Sequence, residues 1–226
     1  MKITRLLTLI MLAAMLLIAT LTKAQTGPSD ATTPPPTNAS DVAKVLCYGQ
    51  GISISGPQES PGVDYAKYNW YKEDAQGNKQ LIAGSTGRTY TEASGAAGYY
   101  KYYVVTENAN GCISPVSDVL SIYVLPQLIV DITTPNSSIC ATSGSTLLTA
   151  SVTPASGYTY TYQWTRNGTP IAGATASTYS VANETTAATV TFGVTVAYTL
   201  SSSCSSSATE NIIVTPLPTK PLITAN

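Results

Sequence analysis

Residues 82–90 read IAGSTGRTY, and residues 171–179 read IAGATASTY. A tryptophan precedes each run, and a cysteine lies on either side of it. The two series are offset by 89 to 94 residues. Arrays of short repeats have periods of about 20–50 residues, so an offset this long indicates two copies of an independently folding unit. The first series comprises Cys47, Trp70, residues 82–90 and Cys112, and the second comprises Cys140, Trp164, residues 171–179 and Cys204.

Each copy carries strand patterns and no helical period. Short β-branched and aromatic stretches recur between turns. Residues 160–165 alternate apolar and polar side chains and lead into Asn167-Gly168, the strongest two-residue hairpin motif. About seven short strands per copy, with Trp70 or Trp164 as the core residue of a central strand, predict an all-β fold. We therefore expect two tandem immunoglobulin-like β-sandwiches.

The motif order resembles that of a known repeat family. It runs from a Cys to Y-x-W, then to I-A-G-[AS]-T-x-x-T-Y, then to N-x-N-G-C, with Leu-Pro pairs at the joints. This pattern resembles the Ig-like repeats of Bacteroidetes secreted and cell-surface proteins, including adhesin-like and gliding-associated ones. The resemblance covers about residues 41–218, and residues 201–204 depart from it because SSSC replaces N-x-N-G-C. It implies spacing or adhesion and names no ligand.

The four cysteines allow three pairings. The repeat favours Cys47 with Cys112 and Cys140 with Cys204, because each unit should close its own loop. Each such intradomain disulfide would contribute about 4 kcal/mol in the chain-entropy model. Both bridges should pin one end of a sandwich, since the cysteines flank strands rather than lie within them. Zinc is the competing use, but the chain has no CxxC pair and no histidine.

The first 24 residues read as a secretion signal. Lys2 and Arg5 precede a long apolar run, residues 6–21, and small residues flank a cut after Ala24. A membrane anchor is the alternative, because the run approaches spanning length. We expect removal of the segment, export to the cell surface or the extracellular space with the periplasm as an alternative, and no membrane insertion afterwards.

The remaining chain divides by composition and repeat position. Residues 25–40 are a Pro/Thr/Ser-rich tether, which Pro34-Pro35-Pro36 should hold extended. Residues 41–125 form the first Ig-like domain and residues 126–218 the second. The tail, residues 219–226, resembles the start of a further repeat, either because the chain is part of a longer array or because the strand pairs with another molecule.

Charge and composition exclude several functions. Loss of residues 1–24 would leave eight basic and twelve acidic residues, which argues against nucleic acid or anionic lipid as a partner. No histidine is present for a Ser/His or Cys/His nucleophile pair, and no DxDxD cluster could hold calcium. Glu73-Asp74, the one acidic doublet, falls in a hairpin connection that we expect to be solvated. We predict no enzyme, no cofactor and no metal.

Tyrosine is the one asymmetry between the copies, since ten of the fifteen lie in the first. Alternation along the strands places Tyr71, Tyr99, Lys101 and Tyr103 on outward faces. If the two strands are neighbours, these residues form a strip that could stack on sugar rings or anchor a protein. Alternatively, they pair across strands or pack on the second copy. Tyr100 or Tyr102 should be a structural tyrosine corner.

These observations lead to three functional hypotheses. The first is a non-enzymatic exported surface module, serving adhesion or spacing. The second is a carbohydrate-binding module that uses the tyrosine strip. The third is an assembly subunit that donates its C-terminal strand, residues 222–224, to another copy.

Overall fold

A computed structural model describes residues 27–182 and 184–223 of the chain. The predicted leader, residues 1–24, lies outside this range. The described residues form strands, connected by turns and loops, and one 3₁₀ turn at Ala39–Asp41. Across these residues we find no helix with the length and apolarity needed to span a bilayer.

The first half of the described chain contains nine strands, several of only two or three residues. Five of them form a sheet in the order β1-β9-β8-β5-β6, while β2 pairs with β7 and β3 with β4. The strands are β1 (Lys44–Leu46), β2 (Gly51–Ser55), β3 (Gln58–Ser60), β4 (Val63–Asp64), β5 (Lys67–Glu73), β6 (Lys79–Leu81), β7 (Thr89–Ala93), β8 (Gly98–Glu107) and β9 (Leu120–Val124).

The second half repeats the five-stranded sheet, in the order β11-β17-β16-β13-β14. Opposite it lies a three-stranded sheet, β10-β12-β15. Both halves begin their large sheet with a parallel pair, β1 with β9 and β11 with β17. The strands are β10 (Ile129–Thr133), β11 (Ser138–Cys140), β12 (Ser145–Thr153), β13 (Tyr160–Arg166), β14 (Thr169–Pro170), β15 (Thr178–Ala182), β16 (Thr189–Tyr198) and β17 (Ser201–Thr215).

Each half has its own hydrophobic core, which lies between the large sheet and the β2–β7 pair in the first half and between the five- and three-stranded sheets in the second. The cores follow from period-two alternation, which is clearest in β8, where buried and half-buried residues alternate along all ten positions. Trp70 and Trp164 are buried in the two cores. Their indole N–H groups donate matching 2.9 Å hydrogen bonds to the carbonyls of Gly87 and Ala176. The sequence repeat therefore extends to the hydrogen bonding of the cores.

Tyr100 has the geometry of the predicted tyrosine corner. Its ring is fully buried, and its hydroxyl donates to the Ala96 carbonyl oxygen at 2.9 Å and accepts from the Ala96 N–H at 3.2 Å. The side chain thus fixes the turn that leads into β8. Tyr102, two residues later, serves a different purpose described below.

Candidate functional site

The outward side of the large sheet in the first half carries the predicted tyrosine strip. Strands β5 and β8 are antiparallel neighbours, and Tyr71 lies directly opposite Tyr103. Lys101 lies two residues before Tyr103 on the same side of β8. All three residues are half-buried. They form a polar and aromatic surface with Glu73. We call the surface made by these four residues the tyrosine face.

Glu73 organises this surface. Its Oε1 accepts a 2.8 Å hydrogen bond from Lys101 Nζ, and its Oε2 accepts a 2.6 Å bond from the Tyr103 hydroxyl. The Lys79 ammonium lies 4.5 Å from the centre of the Tyr103 ring on the same side of the sheet. The chain therefore presents a connected network of a carboxylate, two ammonium groups and a phenol.

The network perturbs the pKa values of its members. The hydrogen bond to Glu73, helped by burial, raises the pKa of Tyr103 to about 12. Burial alone would raise the pKa of Glu73, but the hydrogen bonds from Lys101 and Tyr103 and the nearby ammonium charges lower it overall. Glu73 thus stays ionised and Tyr103 stays protonated at neutral pH.

The expectation that Glu73 and Asp74 lie together in a solvated loop is wrong for Glu73. Glu73 is the last residue of β5, and its side chain is 14% exposed. Asp74 does lie in the connection, where its carboxylate accepts hydrogen bonds from the backbone N–H groups of Gln76 and Asn78. Strand β5 extends one residue further than the sequence pattern suggested, to Glu73, so the doublet divides between the sheet and the turn.

Tyr99 does not belong to the tyrosine face. Its hydroxyl donates to the Pro34 carbonyl oxygen at 3.1 Å, and its ring centre lies 4.8 Å from that of Tyr123. Its backbone N–H donates to the Asp30 carbonyl oxygen at 2.7 Å, so the segment before β1 pairs with this end of β8. The predicted strip is thereby reduced to Tyr71, Lys101 and Tyr103.

The second half has no comparable face at the matching positions. Thr165 lies opposite Gly193 there, as Tyr71 lies opposite Tyr103 in the first half. A Cβ atom on Gly193 would lie 2.7 Å from Thr165 Oγ1, so the two strands leave no room for a larger side chain in this arrangement. The aromatic surface is a property of the first half among the described residues.

The predicted disulfides are wrong. Cys47 is bonded to Cys204, with a Cα–Cα distance of 5.2 Å, and the bond joins the two halves of the chain. Cys112 and Cys140 are free and exposed. The one bridge in the described residues is therefore between the repeats, and neither repeat closes its own loop.

Strand geometry explains this correction. Cys47 follows β1, whose last residue lies opposite Val124 and therefore at the Gly98 end of β8. Cys112 lies beyond the other end of β8, ten residues away. Ten strand residues span about 33 Å, whereas bonded cysteines have Cα atoms about 4.4–6.8 Å apart. Cys140 and Cys204 are separated in the same way by the length of β17, because Cys140 lies opposite Thr215.

Aromatic side chains surround the bridge and form what we call the joint. The Tyr123 and Tyr158 hydroxyls, from different halves, are hydrogen-bonded at 2.7 Å. The Tyr198 hydroxyl donates to the Pro126 carbonyl oxygen at 3.0 Å, and its ring packs on Tyr158 with centres 5.2 Å apart. Tyr123 and Leu125, both buried, belong to the same cluster as Tyr198 and Cys204. The two halves thus share a small hydrophobic core of their own.

The segment predicted as a tether also contacts both halves. Ser29 and Asp30 pair with Tyr99 of β8. A few residues later, Pro34, Pro35 and Pro36 line a groove together with residues of the second half, including Tyr158 and Leu200. The carboxylate of Asp30 accepts hydrogen bonds from Thr33 and Thr32, which lower its pKa and fix the turn between these two contacts.

A buried ion pair in the first core was missed by the sequence interpretation. Lys72 Nζ lies 2.6 Å from Glu92 Oε1, with the two side chains 3% and 16% exposed. Glu92 also accepts hydrogen bonds from the hydroxyls of Tyr90 at 2.6 Å and Tyr102 at 2.7 Å. The signal was present in the sequence, because alternation puts Lys72 on the same side of β5 as Tyr68 and Trp70.

The acidic and cysteine side chains of the described residues are scattered or already have partners. Across residues 27–182 and 184–223, no three His, Cys, Asp or Glu side chains cluster in a way that could hold a metal ion. The two largely buried carboxylates described above are both engaged: Glu92 by Lys72 and two tyrosines, and Glu73 by Lys101 and Tyr103.

Comparison with known proteins bears on the fold. Residues 34–126 match the family described as "Ig-like domain CHU_C associated", so the resemblance to Bacteroidetes-type Ig-like repeats is confirmed for this region. No curated protein is significantly similar to the chain in sequence.

Solved structures resemble the chain at low sequence identity. The fibronectin(III)-like modules of Clostridium thermocellum CbhA align with 16% identity and a TM-score of 0.44, covering 86% of this chain and 99% of theirs. Three N-terminal domains of the bacteriophage RB49 outer capsid protein Hoc align with 22% identity and a TM-score of 0.36, covering 75% and 56%. Chicken CNTN1 FN1-FN3 domains align with 13% identity and a TM-score of 0.37, covering 84% and 69%. All three TM-scores are below 0.5, so the all-β, immunoglobulin-like fold follows from the strands described above and from the family match over residues 34–126.

Proposed function

Because residues 34–126 belong to a Bacteroidetes-type Ig-like family, we propose that the protein is a non-enzymatic, exported surface module. It consists of two Ig-like units, one in each half of the chain, and it acts as a stiff spacer or adhesion element. The units carry the length, and the joint keeps them aligned.

The joint is the observation that supports this function best. A covalent bond between Cys47 and Cys204, a hydrogen bond between Tyr123 and Tyr158, and the N-terminal segment all connect the two units. Domains linked only by a flexible peptide reorient freely. A spacer that must hold a contact surface away from the cell gains from the opposite behaviour, since a fixed joint keeps the ends far apart.

Export is supported by the same bridge. Structural disulfides form and persist outside the reducing cytosol. Together with the predicted leader, this supports a location at the cell surface, in the medium or in the periplasm. Mass spectrometry of the mature protein tests the proposal, since it should begin at Gln25 and carry one disulfide.

The two free thiols allow a direct test of the stiff joint. Spin labels on Cys112 and Cys140, which are exposed and lie in different units, report the distance between them by electron–electron double resonance. We expect a narrow distance distribution in the wild type and a broad one in the Cys47→Ser/Cys204→Ser variant. A broad distribution in the wild type would contradict the spacer function.

Carbohydrate or protein binding at the tyrosine face is a second candidate. It is favoured by the half-buried Tyr71 and Tyr103, which lie side by side, and by the polar groups of Glu73 and Lys101 next to them. Aromatic rings flanked by hydrogen-bonding groups are typical of sugar and protein contacts. Binding to a glycan array should be lost in Tyr71→Ala and retained in Thr165→Ala, the matching change in the second unit; an array without wild-type binding removes the glycan.

Donation of the C-terminal strand remains a third candidate. Leu222 and Ile223 are 88% and 94% exposed, more than the other large apolar side chains of the described residues. They could pair with a sheet edge of another copy. Deletion of residues 219–226 should then abolish concentration-dependent oligomers in sedimentation experiments, whereas a monomeric wild type would exclude this route.

A further inference from the structure

The two free cysteines are the repeat counterparts of the two bonded ones. Cys47 and Cys140 each come at the end of the strand that pairs in parallel with the last strand of its unit. Cys112 and Cys204 each come shortly after the long central strand, β8 or β16. The bridge that exists therefore joins the first cysteine of one unit to the second cysteine of the following unit. By the same rule, Cys140 would bond to the second cysteine of a unit placed after the second one, and Cys112 to the first cysteine of a unit placed before the first one.

The free cysteines lie at the two ends of the molecule that face away from the joint. Cys112 lies beyond Glu107, whereas the joint is at the Gly98 end of β8. Cys140 lies opposite Thr215, the last residue of β17, whereas Cys204 is near the start of that strand. A second molecule placed end to end would bring Cys140 of one copy towards Cys112 of the next, as the joint brings Cys47 to Cys204.

A second observation at the Cys140 end points to the same partner. Ile213 lies opposite Ser138, two residues from Cys140, in the register position that Tyr123 occupies beside Cys47 in the first unit. Tyr123 is covered by the joint and is 3% exposed, whereas Ile213 is 50% exposed. The free end thus presents an uncovered apolar side chain where the joint has a covered one. Ile113, next to Cys112, is also largely exposed at the other end.

We propose that a second copy of this chain docks head to tail, with a disulfide between Cys140 of one molecule and Cys112 of the next. Such a contact uses two different surfaces, so it does not close on itself and generates a linear chain of molecules. The proposal extends the spacer from one molecule to a filament, and it needs no assumption about the stiffness of the internal joint.

The chemistry is thiol–disulfide exchange with a small disulfide oxidant. Each of the two thiols loses its proton, a sulfur–sulfur bond forms between Cys140 and Cys112, and two electrons pass to the oxidant. With oxidised glutathione as the oxidant, its own disulfide breaks and two molecules of reduced glutathione leave. Exported proteins encounter such conditions, because the compartments that sustain Cys47–Cys204 are oxidising.

The new contact should depend on its covalent bond more than the joint does. The aromatic residues of the joint are not repeated at the free ends. In the second unit Thr189 pairs with Ile213, as Tyr99 pairs with Tyr123 in the first unit. A threonine therefore stands at the free end where the joint has Tyr99. A smaller apolar contact gives less free energy of association, so reductant should separate the copies while each copy stays folded.

Two complementary variants test the proposal. The purified wild-type protein, incubated with oxidised glutathione, should give a ladder of dimers and larger species in non-reducing electrophoresis, and the ladder should disappear with reductant. Cys112→Ser and Cys140→Ser carry tags of different mass and are each mixed with oxidant, alone and together. We expect monomers from each variant alone and one covalent heterodimer from the mixture, with no species beyond the dimer.

The outcomes separate the proposal from its alternatives. Homodimers of the single variants would show unspecific thiol pairing and overturn it, as would monomers only in the wild type. Peptide mapping of the heterodimer must give a Cys112–Cys140 link and an intact Cys47–Cys204 link. The two serine variants should have wild-type circular dichroism, since both positions are exposed. Failure here leaves the proposed spacer function unaffected. The spin-label test of that function uses Cys112 and Cys140 only to carry labels, and it measures what loss of the Cys47–Cys204 bond does to the joint.

Discussion

At the scale of single residues, Lys72 shows how the first core tolerates a charge. Its ammonium group is taken out of water but meets Glu92 at 2.6 Å and lies 4.6 Å from the centre of the Tyr100 ring. Burial lowers the pKa of Lys72, and Glu92 opposes that effect. The carboxylate is in turn held by two tyrosine hydroxyls. Glu92 and Tyr100 both belong to the first unit.

Removing one member of this pair should be costly. Lys72→Met leaves the Glu92 carboxylate buried without its cation, and we expect the free energy of unfolding to fall by about 3–5 kcal/mol. Urea unfolding, followed by tryptophan fluorescence, measures the change. The Lys72→Met/Glu92→Gln double variant is the control, because it removes both charges and keeps an amide that can bond to Tyr90 and Tyr102. It should be less destabilised than the single variant; an equal or greater loss would contradict a charge-based explanation.

At the scale of elements, the two units connect matching strands in different ways. In the second unit, Asn167-Gly168 forms a tight turn in which both residues have positive φ, at 47° and 79°. In the first unit, the connection between β5 and β6 is longer and is organised by the Asp74 carboxylate. The Asn-Gly motif predicted the tight turn of the second unit, because a two-residue turn with positive φ at both residues matches the twist of the strands.

Gly168 should therefore resist substitution for a reason of backbone conformation alone. A Cβ atom there would meet nothing within 4 Å, but φ is +79°. Gly168→Ala should lower the free energy of unfolding by about 1–2 kcal/mol, the cost of a left-handed non-glycine residue. The control is Gly87→Ala, where a Cβ atom also has open space and φ is not in the left-handed region. Urea midpoints of the two variants should differ in that order, and equal midpoints would contradict the assignment.

Among the described residues, strand β10 of the second unit has no counterpart in the first, which has the β3–β4 hairpin instead, and the sequence contains the reason. Strand β10 pairs with residues 149–153 of β12. The repeated Thr-Tyr pair at the start of β15 and of β7 shows which residues match. Thr149 lies opposite Thr178, and Ser55 lies opposite Thr89. Residues 55–59 of the first unit therefore match residues 149–153 of the second. Pro57 interrupts that segment and has no N–H to donate. The first unit accordingly turns there into the short β3–β4 hairpin instead of accepting another strand.

Alternation and repeat matching predicted much of this architecture. They gave the buried tryptophans, the outward direction of Tyr71 and Tyr103, and the hairpin turn, because each depends only on local sequence. They failed for the cysteines and for Tyr99. The repeat shows which cysteines are equivalent. Which of them form a disulfide depends on the direction and register of β1 relative to β8 and on how one unit packs on the next. Neither the backbone pairing of Tyr99 with Asp30 nor the role of Glu73 has a local signature.

At the scale of the whole molecule, tyrosine burial should make stability depend on alkaline pH. Burial raises the pKa of Tyr90, Tyr102, Tyr123 and Tyr198 above the usual range. Unfolded tyrosine ionises near pH 10. Above that pH the unfolded chain releases protons that the folded chain retains, so the contribution of these groups to stability is present below about pH 10 and is lost as pH rises.

Urea unfolding at several pH values measures this loss. We expect a steady fall in the free energy of unfolding above pH 10, while absorbance at 295 nm reports only part of the tyrosines ionising before the protein unfolds. The Tyr103→Phe variant removes a phenol whose pKa is raised to about 12. The free energy of unfolding should therefore fall less steeply between pH 10 and 12 in this variant than in the wild type. Stability that stays constant to pH 12 would contradict the burial of these phenols.

The bridge between the units should decide whether the molecule unfolds as one body. Each unit has a separate hydrophobic core, so either could unfold alone at the cost of the contacts in the joint. Cys47 and Cys204 are 157 residues apart, and a bridge over so long a loop restricts the unfolded chain by about 5 kcal/mol in the chain-entropy model. It also holds Tyr123 against Tyr158, which couples the units.

In Cys47→Ser/Cys204→Ser we expect scanning calorimetry to resolve two transitions where the wild type has one, with the first at a lower temperature. Cys112→Ser/Cys140→Ser, which removes two thiols but no bridge, should retain the wild-type trace. If both double variants unfold like the wild type, the aromatic contacts alone couple the units and the disulfide has no part in it.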